Sequence, residues 1–327
     1  MFKPEFLQSL DIVDWGYTSD LEPLSYDKYL SWLKDENHGT LSYLEGERAD
    51  QRKNLKLVYP ECKSALVFLF SYAEKKYAME QEQLGDAKIA SYVTSFGGLD
   101  YHYVIKDHLN KITEKLKESF PTLEAKPALD VLPVLERDLA LRAGLGWFGK
   151  NSMMIHKSEG SFTMIGALLL NQELNLPTHS IETDHCGQCT ACADACPTIA
   201  IDLETRTLKA DLCVATYTIE TFKDAPAPAG YESMSEVFGC DICQDVCPWN
   251  KRWLRHKLAQ GALKPFDWSG LEMIRDTFLK GSMTQVAENI KQLGVREFKR
   301  LFKSTPLERT GRNGLLKNLL HKKDVSS

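Results

Sequence analysis

The chain of 327 residues lacks any long hydrophobic run. Its most apolar stretch, Phe162 to Leu170, is about half of the roughly 18 residues that identify a transmembrane helix, so it is interpreted as a buried strand. The first ten residues contain a lysine, a proline and a glutamate, and no apolar core of the length that a secretory signal needs. A cytoplasmic protein without a membrane partner is therefore expected.

Cysteine is almost absent outside one segment. Eight of the nine cysteines lie between Cys186 and Cys247, and the ninth is Cys62. In a reducing compartment such a cluster is typical of metal binding rather than of disulfide bonds. Cys62 lies beside a strongly apolar run and is interpreted as an inert core thiol.

Basic and acidic residues are unevenly distributed along the chain, although the net charge is only -5. From Lys251 onward there are 17 basic and 7 acidic residues, so this end carries about +10 and the preceding part about -15. The composition, with 43% hydrophobic residues, excludes a disordered or collagen-like chain. An acidic body with a basic C-terminal segment is predicted.

Residues 1–176 mix helical and strand patterns. Ser64 to Phe70 is a continuous apolar run, as in a strand that is covered on both faces. The region also contains an amphipathic helix pattern, a second helix pattern that Gly144 ends, and two strand patterns, at 100–119, 135–143, 152–156 and 162–170. This alternation predicts an α/β (α+β) domain.

The remaining chain divides at Asn250. Residues 177–250 contain the cysteine cluster, and residues 251–327 are predicted to form a short, basic, α-helical C-terminal region. Its helix patterns are short and separated by Gly, Pro or Ser, and they cover 271–279, 283–293, 295–302 and 314–321.

The cysteine spacing indicates iron–sulfur chemistry. The segment CGQCTACADACP has the spacing C-x2-C-x2-C-x3-C-P of bacterial ferredoxins, in which the cysteine before proline binds the neighbouring cluster. The segment CDICQDVCP repeats the pattern with one cysteine fewer, and Cys213 lies between the two motifs. A ferredoxin-like domain with two 4Fe-4S clusters is therefore predicted.

Each cluster has four cysteine ligands if the cysteine before each proline binds the cluster of the other motif. The first set is Cys186, Cys189, Cys192 and Cys247, and the second set is Cys196, Cys213, Cys240 and Cys243. Zinc is the alternative, because C-x2-C pairs also build zinc sites, but zinc does not need the crossover before proline.

Several segments together resemble one family, the epoxyqueuosine reductases. They are LDVLPVLERDLALRAGLGWFGKNSMMI (129–155), the two cysteine motifs, HGTLSYLEGERADQRKNL (38–55), GLDYHYVIKDHL (98–109) and ERTGRNGLLKN (308–318). The resemblance covers nearly the whole chain. It implies a cobalamin-dependent enzyme with two 4Fe-4S clusters, related to reductive dehalogenases, that performs the last step of queuosine synthesis on tRNA.

The resemblance implies that Asp130, at the head of D-x-x-P-x-x-E-R, donates a proton. Turning an epoxide into an alkene takes two electrons and two protons and releases the oxygen as water, so the oxygen must be protonated. A carboxyl does this near neutral pH if burial raises its pKa, and the apolar neighbours of Asp130 are compatible with burial. The alternative is that Asp130 caps the helix near Leu135 or pairs with Arg137; the resemblance favours catalysis.

A glycine-rich loop, 144–152, is weak evidence by itself, because it only indicates that backbone can approach a ligand closely. The resemblance implies that this loop lines a cobalamin site. The candidate cobalamin contacts are Arg52, Asp130, Lys150, Asn151, Ser152 and Ala215.

The basic C-terminal segment is predicted to contact tRNA phosphates, with a solvated surface as the alternative. Its candidate residues are Lys299, Arg300, Lys303, Arg309, Arg312, Lys317, Lys322 and Lys323. The other expected partner is a reduced low-potential electron carrier of the ferredoxin or flavodoxin type, and the chain is expected to act as a monomer. Two other functions stay open: a corrinoid iron–sulfur reductase of a small molecule such as an organohalide, and a pure electron-transfer protein.

Overall fold

The computed structural model describes residues 1–82, 84–221 and 226–322. The helices are α1 (Pro4–Gln8), α2 (Tyr26–Lys34), α3 (Glu47–Gln51), α4 (Ala73–Glu80), α5 (Tyr92–Ser95), α6 (Tyr101–Lys117), α7 (Glu136–Arg142), α8 (Ala191–Asp194), α9 (Val214–Ile219), α10 (Ile242–Asp245), α11 (Pro248–Ala259), α12 (Glu272–Ile274), α13 (Met283–Gln292), α14 (Val295–Leu301) and α15 (Leu307–Leu320). Within the described ranges, no helix is both long and apolar enough to cross a lipid bilayer.

The strands are short apart from three. They are β1 (Ile12–Thr18), β2 (Ser64–Ser71), β3 (Lys88–Ile89), β4 (Ala125–Ala128), β5 (Trp147–Phe148), β6 (Met154–Ile155), β7 (Thr163–Leu170), β8 (Ile201–Asp202), β9 (Thr207–Leu208) and β10 (Glu236–Phe238). This mixture of helices and strands confirms the predicted fold class.

The chain forms two compact units. The first contains residues 1–38, 42–71 and 102–189, and the second contains residues 39–41, 72–101 and 190–327. Each unit is therefore assembled from separated parts of the sequence. The functional boundaries at 176 and 250 stay a prediction.

A four-stranded antiparallel sheet is the centre of the first unit, with the strand order β1-β2-β7-β4. β2 lies inside the sheet, and the side chains of 65–70 are fully buried, which explains why the sequence shows an unbroken apolar run there. Its eight residues pair with β7 from Ser64 opposite Leu170 to Ser71 opposite Thr163. Sequence analysis did not predict β1, which forms one edge of the sheet.

Helix α6 packs closely on this sheet at Gly166 of β7. A Cβ atom on Gly166 would lie 2.8 Å from Cγ2 of Ile105 and 2.9 Å from Cε2 of Phe70. The missing side chain therefore lets α6 approach the strand. Ile105 and Leu109, two of the periodic apolar residues that predicted the helix, are fully buried.

The second unit has a largely helical core in which apolar side chains of α13, α14 and α15 are buried together. Two predicted helices differ from the observed ones. The segment 271–279 forms the short α12 followed by a π-helical turn at Arg275–Leu279, and the last helix begins at Leu307 rather than at 314. Gly311 interrupts α15 with φ of +66°, a conformation that glycine adopts without steric cost.

Candidate active site

A tight turn between β4 and α7 carries Asp130. The N–H of Leu132 donates to the carbonyl oxygen of Leu129 at 2.9 Å, which closes the turn. From α3, the guanidinium of Arg48 donates to the carbonyl oxygen of Val131 at 2.9 Å. The turn is therefore attached to a neighbouring element next to its functional residue.

The carboxyl of Asp130 meets the ring of His102, the second residue of α6. His102 Nε2 lies 2.5 Å from Asp130 Oδ1, and the two side chains are 22% and 54% exposed. The burial expected for Asp130 is therefore not found. Leu135 occupies the N-cap of α7 and its side chain makes no capping bond, while capping of the turn by Asp130 stays a prediction.

A second carboxyl, on Glu136, is less exposed than that of Asp130, and the residue is half-buried. Glu136 is the first residue of α7, and within the part of the chain that the structure describes its buried Oε1 has no hydrogen-bond partner. Burial raises the pKa of Glu136 to about 7, and the charge of Asp130 acts in the same direction. Sequence analysis missed this residue, although it is the glutamate of the D-x-x-P-x-x-E-R pattern.

Arg52 lies in the interior of the first unit, at the end of α3. Its side chain donates to the carbonyl oxygen of Arg48 at 2.8 Å, and its guanidinium carbon is 5.6 Å from the centre of the Tyr29 ring. A cation held over an aromatic face and a carbonyl is fixed in one position. Arg52 can therefore present its remaining donors to an anionic or amide group without reordering.

The glycine-rich loop is anchored by its own polar residues. Lys150 Nζ donates to the carbonyl oxygens of Gly187 and Cys189, at 2.7 and 2.8 Å. Asn151 is buried and accepts a bond from the N–H of Met153. Lys150 therefore attaches the loop to the first cysteine motif.

Ser152 lies at the end of the same loop, with φ of +63°. Its carbonyl oxygen accepts a hydrogen bond from the guanidinium of Arg137, which follows Glu136 on α7. Arg52, Asp130 and the loop residues thus all belong to the first unit, whereas Ala215 belongs to α9 of the second unit.

All nine cysteines are free thiols in the structure. Two of the motif cysteines, Cys186 and Cys189, belong to the first unit, as does Cys62, and the other six motif cysteines belong to the second. Among the described residues, no three His, Cys, Asp or Glu side chains are arranged to chelate one metal ion. Cys62 is fully buried, and burial raises its pKa to about 11, which confirms the prediction of an inert core thiol.

Three cysteines of the second set, Cys213, Cys240 and Cys243, lie near one another in the second unit, and Cys192 of the first set lies beside them. Burial raises the pKa of the Cys243 thiol, and the neighbouring sulfurs of Cys240, Cys213 and Cys192 raise it further. The N–H of Ala200 donates to Sγ of Cys196 at 3.3 Å, the kind of bond that stabilises a cluster thiolate and tunes its potential. These sulfurs are a donor set suited to iron–sulfur clusters.

The motif CDICQDVCP is fixed by a buried lysine that sequence analysis missed. Lys76 Nζ lies 2.7 Å from Asp245 Oδ1, 2.8 Å from Glu80 Oε1 and 3.8 Å from Asp241 Oδ2. Asp241 also accepts bonds from the N–H and the hydroxyl of Ser91. One cation therefore pairs with both carboxylates of the cysteine motif.

The basic residues of the C-terminal segment have different environments. Lys317 and Lys322 are buried and donate to main-chain carbonyls, while Arg312 donates to carbonyls at the end of α13. Arg309 pairs with Glu220 at 2.7 Å. Arg309 is exposed within its pair, Lys299, Arg300 and Lys303 are exposed as well, and Lys323 lies outside the described residues.

Two family models match the chain. Residues 185–250 match a 4Fe-4S double cluster binding domain, so the zinc alternative is wrong. Residues 52–131, from Arg52 to just beyond Asp130, match the model described as "Epoxyqueuosine reductase QueG, DUF1730". The epoxyqueuosine reductase of Cyclobacterium marinum is 34% identical over 304 residues, which are 92% of this chain and 88% of that relative.

The chain belongs to the epoxyqueuosine reductase family. The resemblance seen in the sequence is thereby confirmed, and the chain is an oxidoreductase rather than a pure electron-transfer protein.

Solved structures of epoxyqueuosine reductases share the fold. The one from Streptococcus thermophilus matches with a TM-score of 0.76 and 24% identity, over 97% of this chain and 78% of that one. An epoxyqueuosine reductase solved with an epoxyqueuosine-modified tRNA-Tyr stem loop matches with a TM-score of 0.74 and 23% identity, over 98% of this chain and 80% of that one. At these identities the likeness shows the fold of the epoxyqueuosine reductase family.

Proposed function

We propose that the chain reduces epoxyqueuosine to queuosine at the wobble position of a tRNA anticodon loop. The observation that carries the proposal is the 34% identity to the Cyclobacterium marinum enzyme over most of both chains. The relative that binds an epoxyqueuosine-modified stem loop supports tRNA, rather than a free nucleoside, as the substrate. Bases in such a loop can be splayed out of the stack and inserted into an active site.

Asp130 is the proton donor in this proposal. Its side chain is 54% exposed, so substrate can reach the carboxyl, and His102 holds one of its oxygens. The arrangement suits a general acid, which needs a carboxyl in a fixed orientation within hydrogen-bond reach of the leaving oxygen. As the epoxide C–O bonds break, the oxygen takes up protons and leaves as water.

The eight motif cysteines are assigned to two 4Fe-4S clusters. One set is Cys186, Cys189, Cys192 and Cys247, and the other is Cys196, Cys213, Cys240 and Cys243. The convergence of Cys213, Cys240 and Cys243 supports the second set. When bound, the clusters supply one-electron transfer from a reduced carrier of the ferredoxin or flavodoxin type.

Cobalamin is the other cofactor in the proposal, with contacts from Arg52, Asp130, Lys150, Asn151, Ser152 and Ala215. The turn at Asp130 fits a ring with an amide rim, because the buried Nε of Arg48 has no hydrogen-bond acceptor among the described residues. The ammonium group of Lys150 already donates to two carbonyls, so its main-chain atoms are proposed to contact cobalamin instead. When bound, cobalamin would supply a reduced cobalt centre for reduction of the epoxide.

The tRNA interface is assigned to the exposed cations Lys299, Arg300 and Lys303 of the C-terminal segment. Phosphate contacts from such residues position an RNA without reading its sequence. We further propose that the protein acts in the cytoplasm as a monomer.

The test is anaerobic purification with added cobalamin, followed by incubation with epoxyqueuosine-containing tRNA and a strong one-electron reductant. Nucleoside mass spectrometry is expected to show queuosine replacing epoxyqueuosine, and omission of cobalamin is expected to prevent this. An organohalide in place of the tRNA tests the dehalogenase-like alternative. No queuosine from a preparation with full iron and cobalamin content contradicts the proposal.

A further inference from the structure

The carboxyl group of Glu136 has an unusual environment. One oxygen, Oε1, is buried and has no hydrogen-bond donor among the described residues. A carboxylate that loses its hydration and gains few donors is destabilised, whereas a neutral carboxyl group loses much less. The one main-chain donor that acts on this carboxyl is the N–H of Glu136 itself. The site therefore favours the protonated form of Glu136.

The charges around Glu136 come from three elements. Asp130 lies on the preceding turn, Arg52 at the end of α3, and Arg137 on the same helix. Burial is the largest influence and raises the pKa of Glu136 to about 7. The N–H of Glu136 itself lowers this pKa, the charge of Asp130 raises it, and the two arginines lower it. The carboxyl thus exchanges its proton near neutral pH.

The nearby arginines are engaged with main-chain oxygens. Arg137 donates to the carbonyl oxygen of Ser152, and Arg52 donates to that of Arg48. Arg48 in turn donates to Val131, beside Asp130. These bonds hold the turn and the start of α7 in place.

The proposed reaction needs more protons than Asp130 alone can deliver. Both C–O bonds of the epoxide break, a carbon–carbon double bond forms, and the oxygen leaves as water. The balance takes two electrons, delivered one at a time by the reduced low-potential carrier, and two protons. One carboxyl holds one proton, so a second group has to supply the other proton, either to the oxygen directly or by reprotonating Asp130.

We propose that Glu136 supplies the second proton by reprotonating Asp130 while the substrate is bound. This inference rests on the proposed function and deepens it. Glu136 acts through Asp130, either directly or through one water molecule, and does not itself contact the epoxide. After the oxygen has left as water, Glu136 regains its proton from solvent.

The experiment compares wild type, Glu136→Gln and the matched control Glu114→Gln as holoenzymes, and measures queuosine formation from about pH 5 to about pH 9. Glu114 is an exposed residue of α6 paired with Lys117. The wild-type rate is expected to fall as pH rises through about 7. Glu136→Gln is expected to lose this pH dependence, and its rate near pH 6 is expected to be at least about tenfold below that of wild type. The control is expected to keep the wild-type rate and pH dependence.

Infrared difference spectra give a readout besides turnover. Wild type minus Glu136→Gln is expected to show the carbonyl band of a protonated carboxyl at pH 6, which disappears as the pH is raised through about 7. Absence of that band already at pH 5 overturns the proposal. So does a Glu136→Gln enzyme that keeps the wild-type rate and pH profile.

A wild-type enzyme that forms no queuosine contradicts the proposed function instead. If Glu136→Gln does not retain its iron, Glu136→Asp replaces it, because it keeps an ionisable group on a shorter side chain. The rate of Glu136→Asp is still expected to fall at high pH, but with a midpoint that differs from that of wild type. An unchanged midpoint overturns the proposal.

Discussion

His102 Nε2 lies 2.5 Å from Asp130 Oδ1, so a ring from α6 meets a carboxyl from the turn between β4 and α7. The pair leaves more than half of the Asp130 side chain exposed. A base and an acid in contact fix each other's orientation and can share a proton. The pair is therefore the part of the site that is available to substrate.

Replacement of Asp130 by Asn tests this site. Asp130→Asn keeps the shape but cannot protonate the leaving oxygen, so turnover is expected to fall about 10²- to 10⁴-fold while iron and cobalamin contents stay unchanged. Asp107→Asn, which alters an exposed ion pair on α6, is the matched control. Full activity of Asp130→Asn removes this residue as the acid.

His102→Gln is expected to act more weakly than Asp130→Asn. The amide still donates to Asp130 but cannot exchange a proton, so we expect a decrease in kcat of about tenfold and little change in KM. Steady-state rates with modified tRNA give both constants. A large increase in KM alone shows that His102 binds substrate instead of orienting Asp130.

The ligand assignment predicts the iron content of a single variant. Cys213→Ala removes one ligand of one cluster, so tightly bound iron is expected to fall from about eight to about four atoms per chain. Cys62→Ala is the control, because Cys62 is a buried core thiol in the first unit. About eight iron atoms in Cys213→Ala contradict the assignment.

Lys76→Met is expected to destabilise the second unit. It leaves Asp241 and Asp245 without their shared cation, and we expect a loss of about 3 kcal/mol, at the low end for buried ion pairs because Asp245 is 38% exposed. Anaerobic urea unfolding of the holoprotein measures this change. Lys111→Met, which breaks an exposed pair with Asp107, is expected to cost less than about 1 kcal/mol.

The exposed and buried cations of the C-terminal segment are expected to differ in their effects. Lys299→Gln and Lys303→Gln are each expected to weaken tRNA binding and to reduce the salt dependence by about one phosphate contact. Lys317→Gln instead leaves the carbonyl oxygens of Tyr217 and Thr221 short of a donor, and is expected to cost about 1–3 kcal/mol of stability. Binding measured at several salt concentrations distinguishes the two groups, and an unchanged salt slope for Lys299→Gln contradicts the proposed interface.

Glu136 also predicts a dependence of stability on pH. Its pKa is about 7 in the folded chain against an ordinary 4.5, so the folded state binds more protons than the unfolded state between these values. The free energy of unfolding therefore falls as pH rises from about 4.5 to about 7. Glu136→Gln is expected to be more stable than wild type at pH 8 and similar at pH 4, as measured by urea unfolding; the opposite order at pH 8 contradicts the burial argument.

The sequence by itself determined the features that depend on neighbouring residues. The spacing of the cysteines predicted a double-cluster segment, because contiguous thiolates can wrap a cluster only at particular intervals. The unbroken apolar run from Ser64 and the helical period from Tyr101 predicted β2 and α6, because burial imposes a pattern on each element. Each of these signals is carried by residues that are close together in the sequence.

The tertiary structure decided which distant side chains meet. His102 and Asp130 are 28 residues apart, Lys76 reaches carboxylates more than 160 residues away, and Lys317 is buried against α9. The exposure of Asp130 and the burial of Glu136, six residues further on, depend on how α3, α6 and the turn pack. Solvation and charge proximity set the chemistry of a carboxyl, and both are properties of packing rather than of local sequence.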